Sequence, residues 1–335
     1  MNIYEQQQKN KRLTVILVIV FVLFFIIIGL GFDYFYLNLY PAYINENGDE
    51  VMRRFVPYGT IFCLILSLIL VINAFSNGIK NIIKATGAVP PNPDDIKEKQ
   101  FIDVVEEMSI AAGIPKPAVY IVPDSDLNAF ATGFSPEKSY IFATRGLVDN
   151  LNREELQAVV AHEMSHIRFY DIRLLTVTTV LMNAIALISD MIWRSSRSRG
   201  YSSSSKSSSS KSKNSGGVII FFIWIILLIL APIISRILAM AISRQREYLA
   251  DAGAAELTRN PKALVSALEK IRVAVEPTKM MKDGVANMCI ADPRGSLIEE
   301  KTGFIADLFA THPPMEKRIL VLKLMAYEKQ RDTGK

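Results

Sequence analysis

Hydrophobic positions fall in blocks along this chain rather than being spread evenly. Four apolar runs stand out, at about 13–32, 57–76, 174–193 and 217–237. About 20 apolar residues at about 1.5 Å per residue cross the hydrocarbon core of a bilayer, so each run is long enough to span as a helix. The first, second and fourth are clean. The third carries Thr176, Thr178, Thr179, Asn183, Ser189 and Asp190. The run from Leu13 to Phe32 is too long for a signal-peptide core and reads as a retained anchor.

Between the blocks the pattern becomes that of a folded domain. Ile96, Phe101, Val104, Val105 and Met108 recur at helical spacing over 95–112, with Pro115 and Pro117 as stop signals. Val119–Val122, Ala129–Thr132 and Tyr140–Thr144 read as short strands separated by turn residues. Asn152 with Glu155 three positions on is a capping box, opening a helix to about Arg168. Asn260-Pro261 and Pro313-Pro314 mark the starts of two later helices. The predicted fold is an integral membrane protein, mainly α, with about four transmembrane helices and an α+β domain holding a small sheet. The organisation runs as a hairpin of spans over 1–76, a soluble part over 77–171, a second hydrophobic hairpin over 172–237 and a second soluble part over 238–335.

Composition agrees with a membrane setting. Half of the 335 residues are hydrophobic and the net charge is +5. The basic residues form no groove with interleaved aromatics, which argues against nucleic-acid binding. Lys80, Lys84, Lys97 and Lys99 follow the second span, so the positive-inside rule puts 77–171 in the cytoplasm. The Ser-rich loop 194–216 also carries six Lys or Arg residues and reads as a linker. Four full crossings would put this basic loop outside, so either spans three and four form a partial hairpin or the rule is overridden there. The two cysteines, Cys63 and Cys289, suggest neither a disulfide framework nor a Cys-based metal site.

The chemistry lies in His162-Glu163-Met164-Ser165-His166, which holds two of the chain's three histidines. Positions i and i+4 share a helix face, so both imidazoles can bind one metal. Glu163 lies about 100° round, beside the metal rather than on it, as a general base requires. A catalytic site of this kind needs a third protein ligand and an open position. Glu247 is the candidate, with Asp251 one turn on to fix the tautomer of a ligand histidine. Ala250, Ala252, Gly253 and Ala254 would let that helix come close to its neighbour. One Zn²⁺ per chain is the expected cofactor, since two His and one Glu suit it.

These residues resemble the HtpX family of membrane zinc endopeptidases, relatives of the prenyl-protein peptidases. The resemblance rests on the N-terminal pair of spans, Asn128-Ala-Phe-Ala-Thr-Gly133, the His-Glu-Met-Ser-His run, Glu247-Tyr-Leu-Ala-Asp251 and Thr311-His312-Pro313. It implies a gluzincin-type (zincin-like) catalytic domain, Glu247 as third ligand, and proteolysis on the cytoplasmic face of the inner (plasma) membrane. It further implies quality control of damaged membrane proteins. It suggests that Asn128, Ala129 and Phe130 align an extended substrate; a plain core strand is the alternative. It also brings His312 and Arg318 to the site, where either could stabilise developing charge, against helix capping and a salt bridge as the structural options. Self-cleavage in the 194–216 loop is a further expectation. The competing function is a catalytically silent membrane scaffold or chaperone with a structural metal.

Overall fold

The computed structural model describes residues 3–36, 42–44, 50–52, 56–182, 245–274, 288–291 and 313–333. The fourth apolar run, the 194–216 loop and His312 lie outside the described residues, as does the third run beyond residue 182. The chain divides into two compact units. One comprises residues 1–14, 75–180 and 237–335; the other comprises 15–74 and 181–236.

The second unit holds most of two long helices, α1 (Ile3–Tyr36) and α2 (Tyr58–Thr86), and a two-stranded antiparallel ribbon of β1 (Ala42–Ile44) and β2 (Glu50–Met52). Both helices outrun the apolar segments that predict them. They pack where α1 carries Gly29: a Cβ there would stand 2.5 Å from Thr60 Cα, so only glycine allows the approach. Near it, buried Asp33 accepts from the backbone N–H of Gly59 at 2.7 Å and of Thr60 at 2.9 Å, satisfying the free amides at the start of α2. Large apolar side chains along both helices stay exposed, including Ile19, Leu23 and Ile27 on α1 and Ile65, Ile69 and Ile72 on α2. Exposed apolar side chains over a helix of this length suit a lipid environment.

The first unit is built around a three-stranded sheet, order β3-β5-β4, of β3 (Ala118–Val122), β4 (Ala129–Ser135) and β5 (Lys138–Thr144). β3 runs parallel to β5 and β4 antiparallel to it, so β4 is an edge. Helix α3 (Ile96–Ala112) begins at Asp95, whose carboxylate accepts from the amides of Lys97 and Glu98. It ends at Gly113 in the left-handed region, two residues before the proline stop expected from sequence. After the short α4 (Arg145–Asn150) comes α5 (Arg153–Arg168), opened by the expected Asn152–Glu155 capping box. Helix α5 packs against α3, β4 and the helix Pro261–Val273, which packs in turn on Met315–Thr333.

An apolar lead-in to the histidines suggests a helix buried on one side. Instead α5 is buried on nearly every side, from Glu155 to Ile167 with only Gln157 partly open. Leu156, Val159, Val160 and Met164 each bury at least 99% of their surface, each contributing about 1.5–3 kcal/mol. Glu155 is buried too, and it does more than cap: it accepts from Ser266 Oγ at 2.7 Å and Lys270 Nζ at 2.7 Å. The start of the motif helix is thereby tied to Pro261–Val273.

Candidate metal centre

The helical spacing delivers what it promises locally. His162 and His166 stand one turn apart on α5, ring centroids 4.8 Å apart and nearly perpendicular. Facing them is the helical segment 245–258, which brings Glu247. Its Oε2 lies 3.6 Å from His162 Nε2 and its Oε1 3.5 Å from His166 Nε2. One ligand atom from each of the three residues falls within 4.8 Å of the others, and all three residues are buried. The close approach has a local cause. A Cβ on Gly253 would meet Ser165 Oγ at 2.4 Å, so this glycine lets the Glu247 helix lie directly on α5.

A ring of buried charge supports these side chains. Asp251 Oδ1 approaches His162 Nδ1 to 3.0 Å, off the N–H axis, an electrostatic contact rather than an aligned hydrogen bond. Arg318, fully buried, donates to Asp251 through Nε at 2.9 Å and Nη2 at 2.7 Å, and to the Ile290 carbonyl through Nη1 at 2.9 Å. Its Nη1 also lies 3.2 Å from Glu247 Oε2. On the other side, His166 Nδ1 is 3.2 Å from Asp171 Oδ2. Asp171 Oδ1 lies 3.3 Å from Arg246 Nε and accepts from Asn10 Nδ2 at 2.6 Å. Asp171, Arg246 and Asn10 were not singled out from sequence. A carboxylate five positions past His166 was the available signal for Asp171. None existed for Asn10.

Glu163 differs from its neighbours. It is buried, and both carboxylate oxygens lack a hydrogen-bond partner among the described residues. Burial raises its pKa, and Glu247 adds to the rise. His162, His166 and the Ala131 N–H act in the opposite direction without cancelling it. Burial also opposes charge on the imidazoles, but Asp251 and Glu247 hold His162 above the ordinary range. Asp171 and Glu247 push His166 up to about 10.

This donor set fits a divalent cation. Four buried carboxylates (Glu163, Asp171, Glu247, Asp251) face two buried guanidiniums (Arg246, Arg318) across the two imidazoles. Carboxyl groups therefore outnumber guanidiniums around the imidazoles. Two nitrogens and a carboxylate oxygen converging at one point form a donor set of the kind that catalytic metal sites use.

The substrate-strand candidates lie on or beside β4. Asn128 is buried; its N–H donates to Thr144 Oγ1 at 2.9 Å and its amide to the Ala291 carbonyl at 3.0 Å. Ala129 accepts from Ile290 N–H at 2.9 Å. Phe130 is fully buried, stacked on Phe142 with ring centroids 4.5 Å apart, and bridges to Cys289.

Residues 95–326 match Peptidase family M48. A protein named Protease HtpX homolog from Streptococcus uberis is 36% identical over 323 residues, covering 96% of this chain and 100% of that one. Another of the same name, from Limosilactobacillus reuteri, is 36% identical over 324 residues with the same coverage. The crystal structure of S. mikatae Ste24p is similar at a TM-score of 0.46 and 19% identity, over 77% of this chain and 57% of that one. Matched along nearly its whole length by such relatives, the chain belongs to peptidase family M48, among the membrane-bound metalloproteases of the HtpX type.

Proposed function

We propose that this metalloprotease is a zinc endopeptidase whose ion is held by His162, His166 and Glu247 and whose general base is Glu163. The observation carrying this reading is a buried carboxylate, with no side-chain hydrogen-bond partner among the described residues, beside three converging ligand atoms. A structural metal would take four protein ligands and need no base. Bound zinc would supply a Lewis acid for the scissile carbonyl and acidify the attacking water.

Glu163 takes the proton of that water onto a carboxylate oxygen and returns it to the leaving amine nitrogen. The raised affinity of its carboxylate for a proton suits both halves of the task. Asp251 and Asp171 hold the outer nitrogens of His162 and His166, leaving each Nε2 to face inward. Arg318 is committed to Asp251 and Glu247, so its role is to orient ligands. The family resemblance offers His312 for stabilising developing charge on the carbonyl oxygen. The substrate chain passes β4 at Ala131, whose N–H faces Glu163, since Ile290 already pairs with Ala129 and Thr176 with Gly133 along that edge.

The catalytic parts are 77–171 and 238–335, on the cytoplasmic face of the plasma membrane. They are carried by the hairpins 1–76 and 172–237, and the substrates are damaged membrane proteins. The test uses wild type and Glu163→Gln, purified in detergent with chelator and dialysed into zinc with casein. Wild type is expected to bind one zinc and cleave. Glu163→Gln is expected to bind one zinc and lose at least about 10²–10⁴-fold in rate. Cleavage by the variant would remove Glu163 from the mechanism. One bound zinc without cleavage by either protein would favour the silent scaffold.

A further inference from the structure

The turn that ends α5 is gripped by residues about 160 positions earlier in the chain. Tyr170 adopts a left-handed backbone, φ 61°, uncommon for any residue but glycine and asparagine. It reverses the chain at once into the helical segment 171–182 and brings Asp171 back against His166. The first turns of α1 close over this reversal. Gln7 Nε2 donates to the Arg168 carbonyl at 2.8 Å, and Asn10 Nδ2 to the Phe169 carbonyl at 2.9 Å. Lys11 Nζ stands 4.1 Å from the centroid of the Tyr170 ring. Asn10 also donates to Asp171 Oδ1 at 2.6 Å, with 1% of Asn10 and none of Asp171 exposed.

The carboxylate of Asp171 is thus divided. Oδ1 receives Asn10 and faces Arg246, while Oδ2 is left for His166 Nδ1. Rotation of this carboxylate would remove the acceptor that keeps a proton on Nδ1. That proton leaves the lone pair on Nε2, which faces Glu247.

We propose that Asn10 is a positioning residue of the metal centre: by donating to Asp171 Oδ1 it fixes the carboxylate that holds His166 in its ligating tautomer and orientation. The inference rests on His166 being a metal ligand. It makes the first turns of α1 part of the outer shell of the catalytic site.

Full-length protein in detergent tests it. The variants are Asn10→Leu, Asn10→Asp, Asp171→Asn and the reciprocal pair Asn10→Asp/Asp171→Asn. Zinc affinity is read by competition with a chromophoric chelator, coordination by the visible absorption of the cobalt-substituted protein, and catalysis as separate kcat and KM. Each single variant is expected to weaken zinc about 10–100-fold, alter the cobalt bands and lower kcat with KM unchanged. Asn10→Asp keeps the volume of asparagine but replaces its amide with a second carboxyl group set against that of Asp171. The reciprocal pair restores a side-chain amide–carboxylate hydrogen bond with its direction reversed, and leaves the Phe169 carbonyl without its donor. Recovery of affinity and cobalt bands in the pair is therefore expected, and would exclude a role limited to sealing the turn. Wild-type affinity and cobalt bands in the single Asn10 variants, or no recovery in the pair, would overturn the proposal. A wild type that binds no zinc would instead overturn the ligand assignment on which it rests.

Discussion

In the metal-free protein, protons on the imidazoles take the place of a cation. His162 and His166 sit among buried carboxylates that outnumber the guanidiniums, and their pKa values rise despite burial. A group whose folded pKa exceeds its unfolded value stabilises the fold fully below the unfolded value and loses that contribution as pH rises through the folded one. The unfolded value is about 6.5, and His166 is pushed up to about 10. Metal-free protein should therefore lose thermal stability between about pH 6.5 and pH 10. With zinc on the same nitrogens, the proton and its loss no longer matter, so the decline should vanish at saturating zinc. Melting temperatures across this window, with chelator and with excess zinc, provide the measurement. A flat profile for the chelated protein would contradict the exchange of protons for metal.

At the scale of elements, the site depends on two helices lying unusually close. Gly253 stands against Ser165, with the hypothetical Cβ 2.4 Å from Ser165 Oγ and 3.0 Å from its Cβ. Gly253→Ala would drive the Glu247 helix off α5, at about 1–3 kcal/mol by the usual cost of overpacking. Glu247 travels with its helix, so zinc affinity should fall together with stability. Ser165→Ala removes the nearer atom and should recover part of both in the double variant. Chemical denaturation and chelator competition measure the two quantities, and full additivity of the two substitutions would show that the contact is not the cause. These elements also mark how far sequence reaches. His162, Glu163 and His166 were legible because one helical turn carries all three. Glu247 and Asp251 were legible because they repeat the same spacing, and small residues nearby signalled a close crossing. Asn10 was not legible: its partners lie 159 and 161 positions away, and nothing local in an asparagine before an apolar run points to them. The end of α3 at Ala112 falls where the 95–112 pattern put it, although the stop is the left-handed cap at Gly113 rather than the prolines beyond it.

At the scale of the molecule, the question is which side of the membrane holds the site. Large apolar side chains stay exposed along α1 and α2, in keeping with the membrane-bound HtpX-type family to which the chain belongs. The compact unit that contains the metal centre includes residues 1–14 as well as 75–180. Asn10 and Gln7 at the start of α1 hydrogen-bond to residues 168–171. The residue before the first apolar run and the residue after the motif helix must then lie on one side, which requires an even number of crossings between them. In the proposed topology α1 and α2 supply two. Under the proposed topology, the Lys80, Lys84, Lys97 and Lys99 cluster would make that side the cytoplasm. Single cysteines at Gln8 and at Lys97, introduced after Cys63 and Cys289 are replaced by serine, should therefore label alike. A membrane-impermeant maleimide should reach both in inverted vesicles and neither in right-side-out ones. Labelling of the two positions from opposite sides would break the even count, and with it the grip of α1 on the turn at Tyr170. Labelling of both from outside would keep the fold but move proteolysis to the other face, because the site cannot leave the side on which residue 10 stands.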